Sequence, residues 1–299
     1  MNRLLVIQGP TASGKSTLAL ELAKELHAPI LSADSRQFYK EMNIGTAKPT
    51  SEEQSQAKHY FIDTHSINEP SLTSAEFMKS GRKLIHKLFE GGTKDIVVTG
   101  GSGMFIDALI NGLHPSPSNL DVRAALNEEW DRNGITPLLM ELKSKDPESH
   151  SKIDTNNPMR ILRALEIIRV SGQTLKQIRE LPKDHIQYPI KRFSISWKRE
   201  DLYQRINMRV DQMIEEGLLD ELKQLPLKDN LLLQNTVGYK EWMSYFSDEA
   251  SYSETISLIQ KNSRNYAKRQ VTWLKRYSDL ICLNPYDAIP LKAQIIAHL

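Results

Sequence analysis

The fold of this chain is predicted most strongly by the segment Gly9-Pro10-Thr11-Ala12-Ser13-Gly14-Lys15-Ser16, which we call the phosphate loop. It matches the pattern G-x-x-x-x-G-K-[S/T], in which glycines let the backbone curl so that successive N–H groups point at phosphate oxygens. That pattern needs a strand before it and a helix after it. The apolar run Leu4–Gln8 precedes it, and apolar residues recur at helical spacing after Lys15. The loop therefore predicts a site for a diphosphate or triphosphate, where Lys15 supplies positive charge and Ser16 a hydroxyl for magnesium.

The rest of the pattern predicts an α/β protein of the P-loop NTPase-like class, a parallel sheet flanked by helices. Five short apolar runs are typical of buried strands: Leu4–Gln8, Pro29–Ser32, Asp95–Thr99, Phe193–Trp197 and Asp279–Leu283. The early runs alternate with helical patterns, which favours parallel strands joined by crossover helices.

This alternation breaks between Leu113 and Pro189. A Pro/Ser linker at 114–119 is followed by helical patterns at Arg123–Asn133, Thr136–Ser144 and Pro158–Val170. We therefore expect a small all-helical domain, residues 113–189, inserted into an α/β core of residues 1–112 and 190–299. Two long helices are predicted in the second part of that core, the later one from about Glu254 to Arg276.

Composition excludes some classes of protein and leaves others open. The 39 basic and 37 acidic residues give a net charge of +2, so the total charge does not decide whether the chain binds nucleic acid. The single cysteine, Cys282, excludes an intramolecular disulfide and a cysteine-based zinc module. No apolar run approaches 18 residues, and the short apolar start leads directly into the phosphate loop. We expect a cytosolic enzyme without a membrane span.

Two features narrow the chemistry of the phosphate loop. Phosphate-loop NTPases usually carry a magnesium-binding aspartate at the end of an apolar strand, but here Ile96-Val97-Val98 leads into Thr99-Gly100-Gly101. The chain also lacks an Asn-Lys-x-Asp motif, so GTPases and motor ATPases are disfavoured.

Asp34 lies at the carboxyl end of the second predicted strand, the edge where open α/β sheets bind ligands. A carboxylate there can orient a nucleophile or accept its proton. An ATP-dependent small-molecule kinase would also use an acid in this place, with the helical insertion as a lid. A helix-cap or turn aspartate is a further interpretation. The position of Asp34 does not separate these alternatives.

Five blocks of sequence carry a family resemblance. They are GPTASGKS (9–16), SADSRQFYKEMNIGTAKP (32–49), TGGSGMF (99–105), NPMRILRALEIIRVSG (157–172) and AKRQVTWLKR (267–276). Together they resemble the tRNA dimethylallyltransferases, also called tRNA isopentenyltransferases, over essentially the whole chain. The second block is the most specific, because it is no general feature of phosphate loops.

The resemblance implies a reaction. The family transfers a dimethylallyl group from dimethylallyl diphosphate to the exocyclic N6 amine of the adenosine 3′-adjacent to the anticodon, in tRNAs reading codons that begin with U. The phosphate loop would then hold a departing diphosphate, with Mg2+ on Ser16 and with Arg209 beside it. Asp34 would bind the adenine amine and remove its proton.

The resemblance also implies which residues contact tRNA. They are Asp34, Ser35, Arg36, Gln37, Ser102, Arg123, Met159, Arg160, Ile161, Leu162 and Arg163. The acid-free run from Lys261 to Arg276 holds six basic residues and suits either RNA or packing on the core.

The chain departs from the family pattern at a few positions. Ser16 and Ser102 stand where threonine is common, and Phe105 stands where tyrosine is usual, so a phenol hydroxyl is missing. A C-terminal Cys/His finger is absent, which predicts the bacterial type of enzyme, and the resemblance favours a monomer.

Overall fold

The computed structural model describes residues 2–299. They form two compact units, one of residues 2–110 and 186–299 and the other of residues 111–185. Within the described residues, every helix is too short or too polar to cross a membrane.

The first unit is built on one six-stranded sheet. Its strands are β1 (Arg3–Gln8), β2 (Ile30–Ser32), β3 (His59–Tyr60), β4 (Asp95–Gly100), β5 (Ile190–Ile195) and β6 (Leu280–Leu283). Their order is β3-β2-β4-β1-β5-β6, and each neighbouring pair is parallel. Both faces of the central strands are buried, which is why β1 and β4 are continuous apolar runs. The predicted α/β fold with a parallel sheet is confirmed.

The α-helices cover the sheet and form the second unit. In chain order they are α1 (Lys15–Leu26), α2 (Ser51–Gln56), α3 (Ser74–Glu90), α4 (Gly103–Asn111), α5 (Leu120–Asn133), α6 (Thr136–Lys145), α7 (Pro147–Lys152), α8 (Pro158–Ser171), α9 (Leu175–Glu180), α10 (Arg199–Glu215), α11 (Leu218–Lys223), α12 (Leu231–Gln234), α13 (Trp242–Phe246), α14 (Tyr252–Leu274) and α15 (Leu291–Ile296). Two 3-10 turns lie at Ile44–Thr46 and Leu227–Asp229. The long helix α14 begins at a capping box formed by Ser251 and Glu254, two residues before the predicted start.

Strand β5 differs from its predicted bounds of Phe193–Trp197, since it begins earlier and ends at Ile195. The first half of the strand contains Lys191 and Arg192, so it is not part of an apolar run. Arg192 is nevertheless buried, because its guanidinium lies over the Tyr277 ring, 4.7 Å from the centroid, and its Nε donates to Asp279 at 3.1 Å. Trp197 lies outside the strand. The two-residue strand β3 was not predicted, since it is too short to show a pattern.

The second unit consists of α5 to α9 around its own apolar core. The fully buried members of that core include Leu126, Leu142, Ile161, Leu162 and Leu165. Helices α7 and α9 have six residues each and were not predicted, because so short a segment shows less than two turns of periodicity.

The carboxyl edge of the sheet brings the phosphate loop and Asp34 to the same side. β1 lies between β4 and β5, and β2 is the neighbour of β4 on the other side. The β2–β4 pairing extends past β2, because the Ala33 N–H donates to the Thr99 carbonyl oxygen at 2.7 Å. At Gly100 a Cβ atom would lie 2.4 Å from the Ala33 oxygen, so only glycine allows this approach.

We expect Gly100→Ala to destabilise the fold by about 1–3 kcal/mol, because backbone must move to admit the methyl group. Gly91→Ala is the matched control. Gly91 is exposed with φ −75°, and the nearest atom to its added Cβ is 3.3 Å away, so the cost should stay within about 0.5 kcal/mol. Urea denaturation of both variants measures the difference, and equal midpoints would contradict this account of Gly100.

Candidate active site

The phosphate loop connects β1 to α1 and is braced from two other elements of the first unit. Gly14 precedes the helix with φ +88°, a conformation that favours glycine. The Trp197 indole donates to the Ser13 carbonyl oxygen at 2.9 Å, and Arg205 Nε donates to the Ala12 carbonyl oxygen at 2.9 Å. Arg205 also lies 4.4 Å from the centroid of the Trp197 ring system. These contacts engage the carbonyl oxygens of Ala12 and Ser13 and so fix the backbone of the loop.

Two buried cations lie beside this loop. Lys15 is 8% exposed, and its ammonium donates to the Pro10 carbonyl oxygen at 3.3 Å. Burial and, to a smaller extent, the charge of Arg209 lower the pKa of Lys15 to about 8, and the charge of Asp34 opposes both. Burial likewise lowers the pKa of Arg209, against the charges of Asp34 and Glu216. Within residues 2–299 the Arg209 Nε has no hydrogen-bond partner.

Asp34 is held in a turn at the end of β2. Its Oδ1 accepts the Arg36 N–H at 3.0 Å, and its own N–H donates to Ser32 Oγ at 3.4 Å. The side chain is partly exposed and faces the cavity that Lys15 and Arg209 also line. The structure therefore places Asp34, Ser16 and Arg209, which were predicted to be catalytic, around one cavity together with Lys15 of the phosphate loop.

These residues line a cavity of about 230 Å3. One part of its wall is polar, and another part is apolar. The polar part includes Thr11, Lys15, Ser16, Asp34, Arg209, Tyr266 and Gln270, and the apolar part Ile206, Val210, Met213, Val237 and Ile259. A wider cleft continues on the far side of Lys15 and Ser16 and shares Arg209 with the first cavity.

Gln37 was predicted to contact tRNA. In the structure its side chain forms hydrogen bonds within the protein. It is 8% exposed, its Nε2 donates to the carbonyl oxygens of Thr46 and Ala47 at 3.3 and 3.0 Å, and its Oε1 accepts from Ser32 at 3.0 Å. Gln37 therefore holds the segment 43–47 against the end of β2.

The same segment is fastened from its other side by Glu221, which accepts the N–H groups of Asn43 and Ile44 at 2.9 and 2.8 Å and the Tyr239 hydroxyl at 2.6 Å. Gly45 lies against the Tyr239 ring, where a Cβ would be 2.4 Å away. This packing shapes one wall of the cavity.

Ser102 and Ser35 join the two strand ends around Asp34. The Ser35 N–H donates to Ser102 Oγ at 3.0 Å, and Ser102 Oγ donates to Ser35 Oγ at 3.0 Å. Tyr266 of α14 lies beside them, and burial together with the Asp34 charge raises its pKa to about 12. Phe105 packs between Phe38 and Phe77, with ring centroids 5.5 and 5.3 Å apart. Phenylalanine suits that apolar environment better than the tyrosine of the family pattern.

In the second unit, the predicted tRNA-contacting range Met159–Arg163 divides by burial. Ile161 and Leu162 are fully buried in the core, so their side chains are not available to a ligand. Met159 is 58% exposed, and Arg160 is exposed with no side-chain hydrogen bond or ion pair among the described residues.

Two other predicted arginines of this unit have protein partners. Arg163 donates to the Pro117 carbonyl oxygen at 2.9 Å and pairs with Glu166 at 3.0 Å. Arg123 pairs with the same carboxylate at 3.4 Å. Glu166 is 5% exposed, so these pairs organise the second unit. Pairing with Glu166 within the protein is thus an alternative to RNA contact for Arg163.

The side chains of the basic run on α14 differ in their environment. Trp273 packs against α4, where its indole donates to Asp107 at 3.1 Å. Arg264 donates to Asn207 at 2.6 Å, while Arg269 lies over Tyr266 at 5.5 Å from the ring centroid. Lys268 and Arg269 remain exposed. Part of the run packs on the core, and part faces solvent.

Several residues of the site were missed from the sequence. Tyr266, Trp197, Arg205 and Gln270 were not predicted to take part in the site. None of them lies in a motif with a known mechanism, because each acts through a contact with a loop distant in sequence.

Comparison with known proteins finds, over nearly the full chain, the family that the sequence motifs resemble. The family model described as IPP transferase matches residues 37–277. The tRNA dimethylallyltransferase of Cytophaga hutchinsonii is 38% identical, with 99% of this chain and 97% of the relative covered. That of Flavobacterium psychrophilum is 42% identical over 94% of this chain and 93% of the relative. The match to the Cytophaga hutchinsonii relative, which covers 99% of this chain, includes the phosphate loop and Asp34, which precede the region of the family model.

Solved structures that resemble this chain belong to the same family as these relatives. The full-length tRNA isopentenylpyrophosphate transferase of Bacillus halodurans is 33% identical with a TM-score of 0.71, covering 100% of this chain and 94% of the other. A eukaryotic dimethylallyltransferase, described as acting on tRNA, is 25% identical with a TM-score of 0.83, covering 99% of this chain and 78% of the other. The resemblance found in the sequence is confirmed: this chain belongs to the tRNA dimethylallyltransferases, a family of transferase enzymes also described as IPP transferases.

Proposed function

We propose that this protein transfers a dimethylallyl group from dimethylallyl diphosphate to N6 of the adenosine 3′-adjacent to the anticodon in tRNAs that read codons beginning with U. The observation that carries the proposal is an excess of positive charge in a buried cavity. Lys15 and Arg209 are both buried there, and Asp34 is the carboxylate that lines the cavity with them. Such a site favours a polyanion, and a diphosphate supplies the missing negative charge.

The reaction follows from this arrangement. The allylic C–O bond of the donor breaks, and its electron pair leaves with the diphosphate. Lys15, Arg209 and the N–H groups at the start of α1 stabilise that growing charge. The N6 lone pair forms the new C–N bond, and Asp34 accepts the proton that N6 loses. An exocyclic amine is a weak nucleophile, so its orientation by a fixed carboxylate contributes to the rate.

The apolar wall suits the five-carbon group. Ile206, Val210 and Met213 follow one face of α10, and Ile259 of α14 lies in the same cavity. An uncharged branched hydrocarbon loses contact with water there, and water that would capture an allylic cation is kept away.

The residues present fit a magnesium ion. Ser16 presents its hydroxyl from the exposed first turn of α1, next to the phosphate-binding N–H groups. Among the described residues no cluster of three or more His, Cys, Asp or Glu side chains could hold a metal by itself. Mg2+ typically binds through one or two protein oxygens together with phosphate oxygens and water. When bound on Ser16, it would offset charge on the leaving diphosphate.

For tRNA we propose contacts on both units. Asp34, Ser35 and Ser102 surround the opening to the reacting centre, and the exposed Arg160 and Met159 are the candidates on the second unit. Arg160 suits a phosphate oxygen, and Met159 suits a base face. The exposed cations of α14, Lys268 and Arg269, suit the RNA backbone. The target adenine must leave its stack, and these contacts offset that cost.

The kinase alternative is not favoured. The full-length relatives are tRNA dimethylallyltransferases, and β4 ends in Gly100, where any side chain would strike the Ala33 carbonyl. Thr99, which lines the cavity, and Gly100 stand where an ATP site usually carries its magnesium-binding aspartate. We also propose that the protein works in the cytoplasm, and the family resemblance favours a monomer.

The deciding experiment incubates the protein with Mg2+, radiolabelled dimethylallyl diphosphate and unmodified tRNA that carries adenosine 3′ of the anticodon. We expect label in the tRNA at that adenosine. Unlabelled tRNA together with consumption of ATP in a parallel reaction would reject the proposal in favour of a kinase.

Asp34→Asn should lower the single-turnover transfer rate by about 100-fold or more, because the amide cannot accept the N6 proton. The tRNA dissociation constant should change by less than about threefold, since the amide oxygen can still accept the Arg36 N–H. Asp229→Asn, at an exposed 3-10 turn, is the control and should transfer at the normal rate. A large loss of tRNA binding in Asp34→Asn would assign Asp34 a structural role instead.

Lys15→Met should abolish donor binding and at the same time stabilise the free protein. The folded pKa of Lys15, about 8, lies below its ordinary 10.5. Keeping the charge buried therefore costs stability below pH 8, up to about 3 kcal/mol by the shift in pKa. That cost disappears as the pH rises from 8 to 10.5, so the advantage of the variant should shrink over this range.

Denaturation midpoints at pH 7 and pH 10 measure the effect. Lys24→Met is the matched control, because Lys24 is exposed on the same helix and hydrogen-bonded to Gln56. A Lys15→Met protein less stable than the wild type at pH 7 would contradict the buried-charge account.

Arg160→Ala should reduce the slope of log affinity for tRNA against log salt by about one unit, without lowering the melting temperature. Arg132→Ala, an equally exposed position of the second unit, is the control. Arg163→Ala should instead lower the melting temperature, because it loses the Pro117 and Glu166 contacts. An unchanged salt slope in Arg160→Ala would remove Arg160 from the RNA contacts.

A further inference from the structure

Thr99, near the end of β4, carries a buried hydroxyl that the proposed chemistry does not use. The side chain is 8% exposed, and its Oγ1 has no hydrogen-bond partner among residues 2–299. A polar group left unpaired in the interior costs stability, so such groups commonly mark a position where a bound water, ion or ligand supplies the partner.

The fold directs this side chain to the face of the sheet that carries the phosphate loop helix. Side chains alternate along a strand, so Val97 and Thr99 share one face of β4. Val97 belongs to the same apolar core as Leu18 of α1, so this is the face that α1 covers. Thr99 lies two residues nearer to the carboxyl edge, where it lines the cavity and the cleft together with Lys15 and Ser16.

The neighbouring strands supply no partner for the hydroxyl. In the sheet register, Thr99 is paired with Ile7 of β1 and Ser32 of β2. Isoleucine has no polar side-chain atom. The Ser32 hydroxyl is already engaged, because it donates to Gln37 Oε1 at 3.0 Å and accepts the Asp34 N–H at 3.4 Å. A partner for Thr99 therefore has to come from the contents of the cavity or the cleft.

The position of Thr99 indicates the chemistry of that partner. Phosphate-loop NTPases place a magnesium-binding carboxylate at this strand end, and Mg2+ keeps several of its waters when it binds to proteins. A hydroxyl oxygen can accept a hydrogen bond from such a water, as a carboxylate can, but it adds no negative charge. A second carboxylate beside Asp34 would balance the charges of Lys15 and Arg209. Neutral Thr99 offers an acceptor and leaves the positive excess for a diphosphate.

We propose that Thr99 is a positioning residue whose hydroxyl accepts a hydrogen bond from a magnesium-bound water and so helps to hold magnesium diphosphate in the site. It gives the site a fixed acceptor on β4, in addition to the Ser16 hydroxyl on α1. The inference rests on the proposed function, in which the ligand is a diphosphate ester with Mg2+ on Ser16.

The test measures pyrophosphate binding by isothermal titration calorimetry, once with Mg2+ and once with EDTA. Thr99→Val removes the hydroxyl and keeps the branched shape, whereas Thr99→Ser keeps the hydroxyl. With Mg2+ we expect Thr99→Val to bind pyrophosphate about fivefold more weakly, the loss typical of one hydrogen bond, and Thr99→Ser to bind close to the wild-type affinity. With EDTA all three proteins should bind it equally.

Thr93→Val serves as the control, because Thr93 precedes the other end of β4, at the opposite edge of the sheet. It should bind pyrophosphate as the wild type does under both conditions. An unchanged affinity with Mg2+ in folded Thr99→Val would overturn the proposal. An equal loss with EDTA would assign the hydroxyl to a phosphate oxygen instead and would overturn it too. These results leave the proposed function untouched, whereas a wild-type protein that binds no pyrophosphate would reject the diphosphate site itself.

Thermal denaturation separates this role from a structural one. Since the hydroxyl is unpaired in the free protein, Thr99→Val should melt no lower than the wild type. Pyrophosphate with Mg2+ should then raise its melting temperature less than that of the wild type. A lower melting temperature of the free variant, with an unchanged affinity for pyrophosphate and Mg2+, would make Thr99 structural and overturn the proposal.

In the transfer assay, Thr99→Val should need more Mg2+ for its half-maximal rate, and its KM for tRNA should stay unchanged. Thr99→Ser should restore the wild-type magnesium dependence. The same magnesium dependence in Thr99→Val and the wild type would contradict the proposed contact.

Discussion

The burial of two cations with too little negative charge around them is the constraint on which the rest of this structure depends. Lys15 and Arg209 are withdrawn from water beside a single cavity-lining carboxylate, Asp34. Such an arrangement is costly in the free protein, as the lowered pKa of Lys15 shows. In the proposed reaction, the same field stabilises negative charge on a bound diphosphate, most strongly when the allylic bond breaks. Burying the two cations therefore lowers the stability of the free protein, and a bound diphosphate would offset that cost.

Stabilising negative charge in this way requires a rigid phosphate loop. The phosphate loop is braced by Trp197 after β5, Arg205 on α10 and Gln270 on α14, each through a hydrogen bond to its backbone. Two of these contacts engage the carbonyl oxygens of Ala12 and Ser13. A preorganised loop does not need to rearrange as charge develops, which is the physical advantage of bracing it from several elements. On the other side, Asp34 is held at the end of β2 by the turn that includes Arg36.

Sequence reasoning reached the parts of this arrangement that depend on local pattern. The loop between β1 and α1, the apolar strands and the position of Asp34 follow from short-range periodicity and turn chemistry, and the family resemblance added Arg209. It did not reach contacts between residues far apart in the chain. Gln37 remains a predicted tRNA contact, but the hydrogen bonds of its side chain to residues 46 and 47 were not foreseen. Ile161 and Leu162 fall within a predicted contact range, yet their side chains form the core of the second unit.

The sequence by itself determined that this chain folds as a parallel α/β protein and that a carboxylate follows the second strand, and it predicted that residues 9–16 bind a diphosphate or triphosphate group. These conclusions rest on spacing, which is a property of neighbouring residues. Only the tertiary structure decided how the phosphate loop is braced, because that depends in part on Gln270, some 260 residues further along the chain. It also decided that Lys15 and Arg209 are buried together. Burial and electrostatic coupling arise from packing between elements, and no local pattern encodes them.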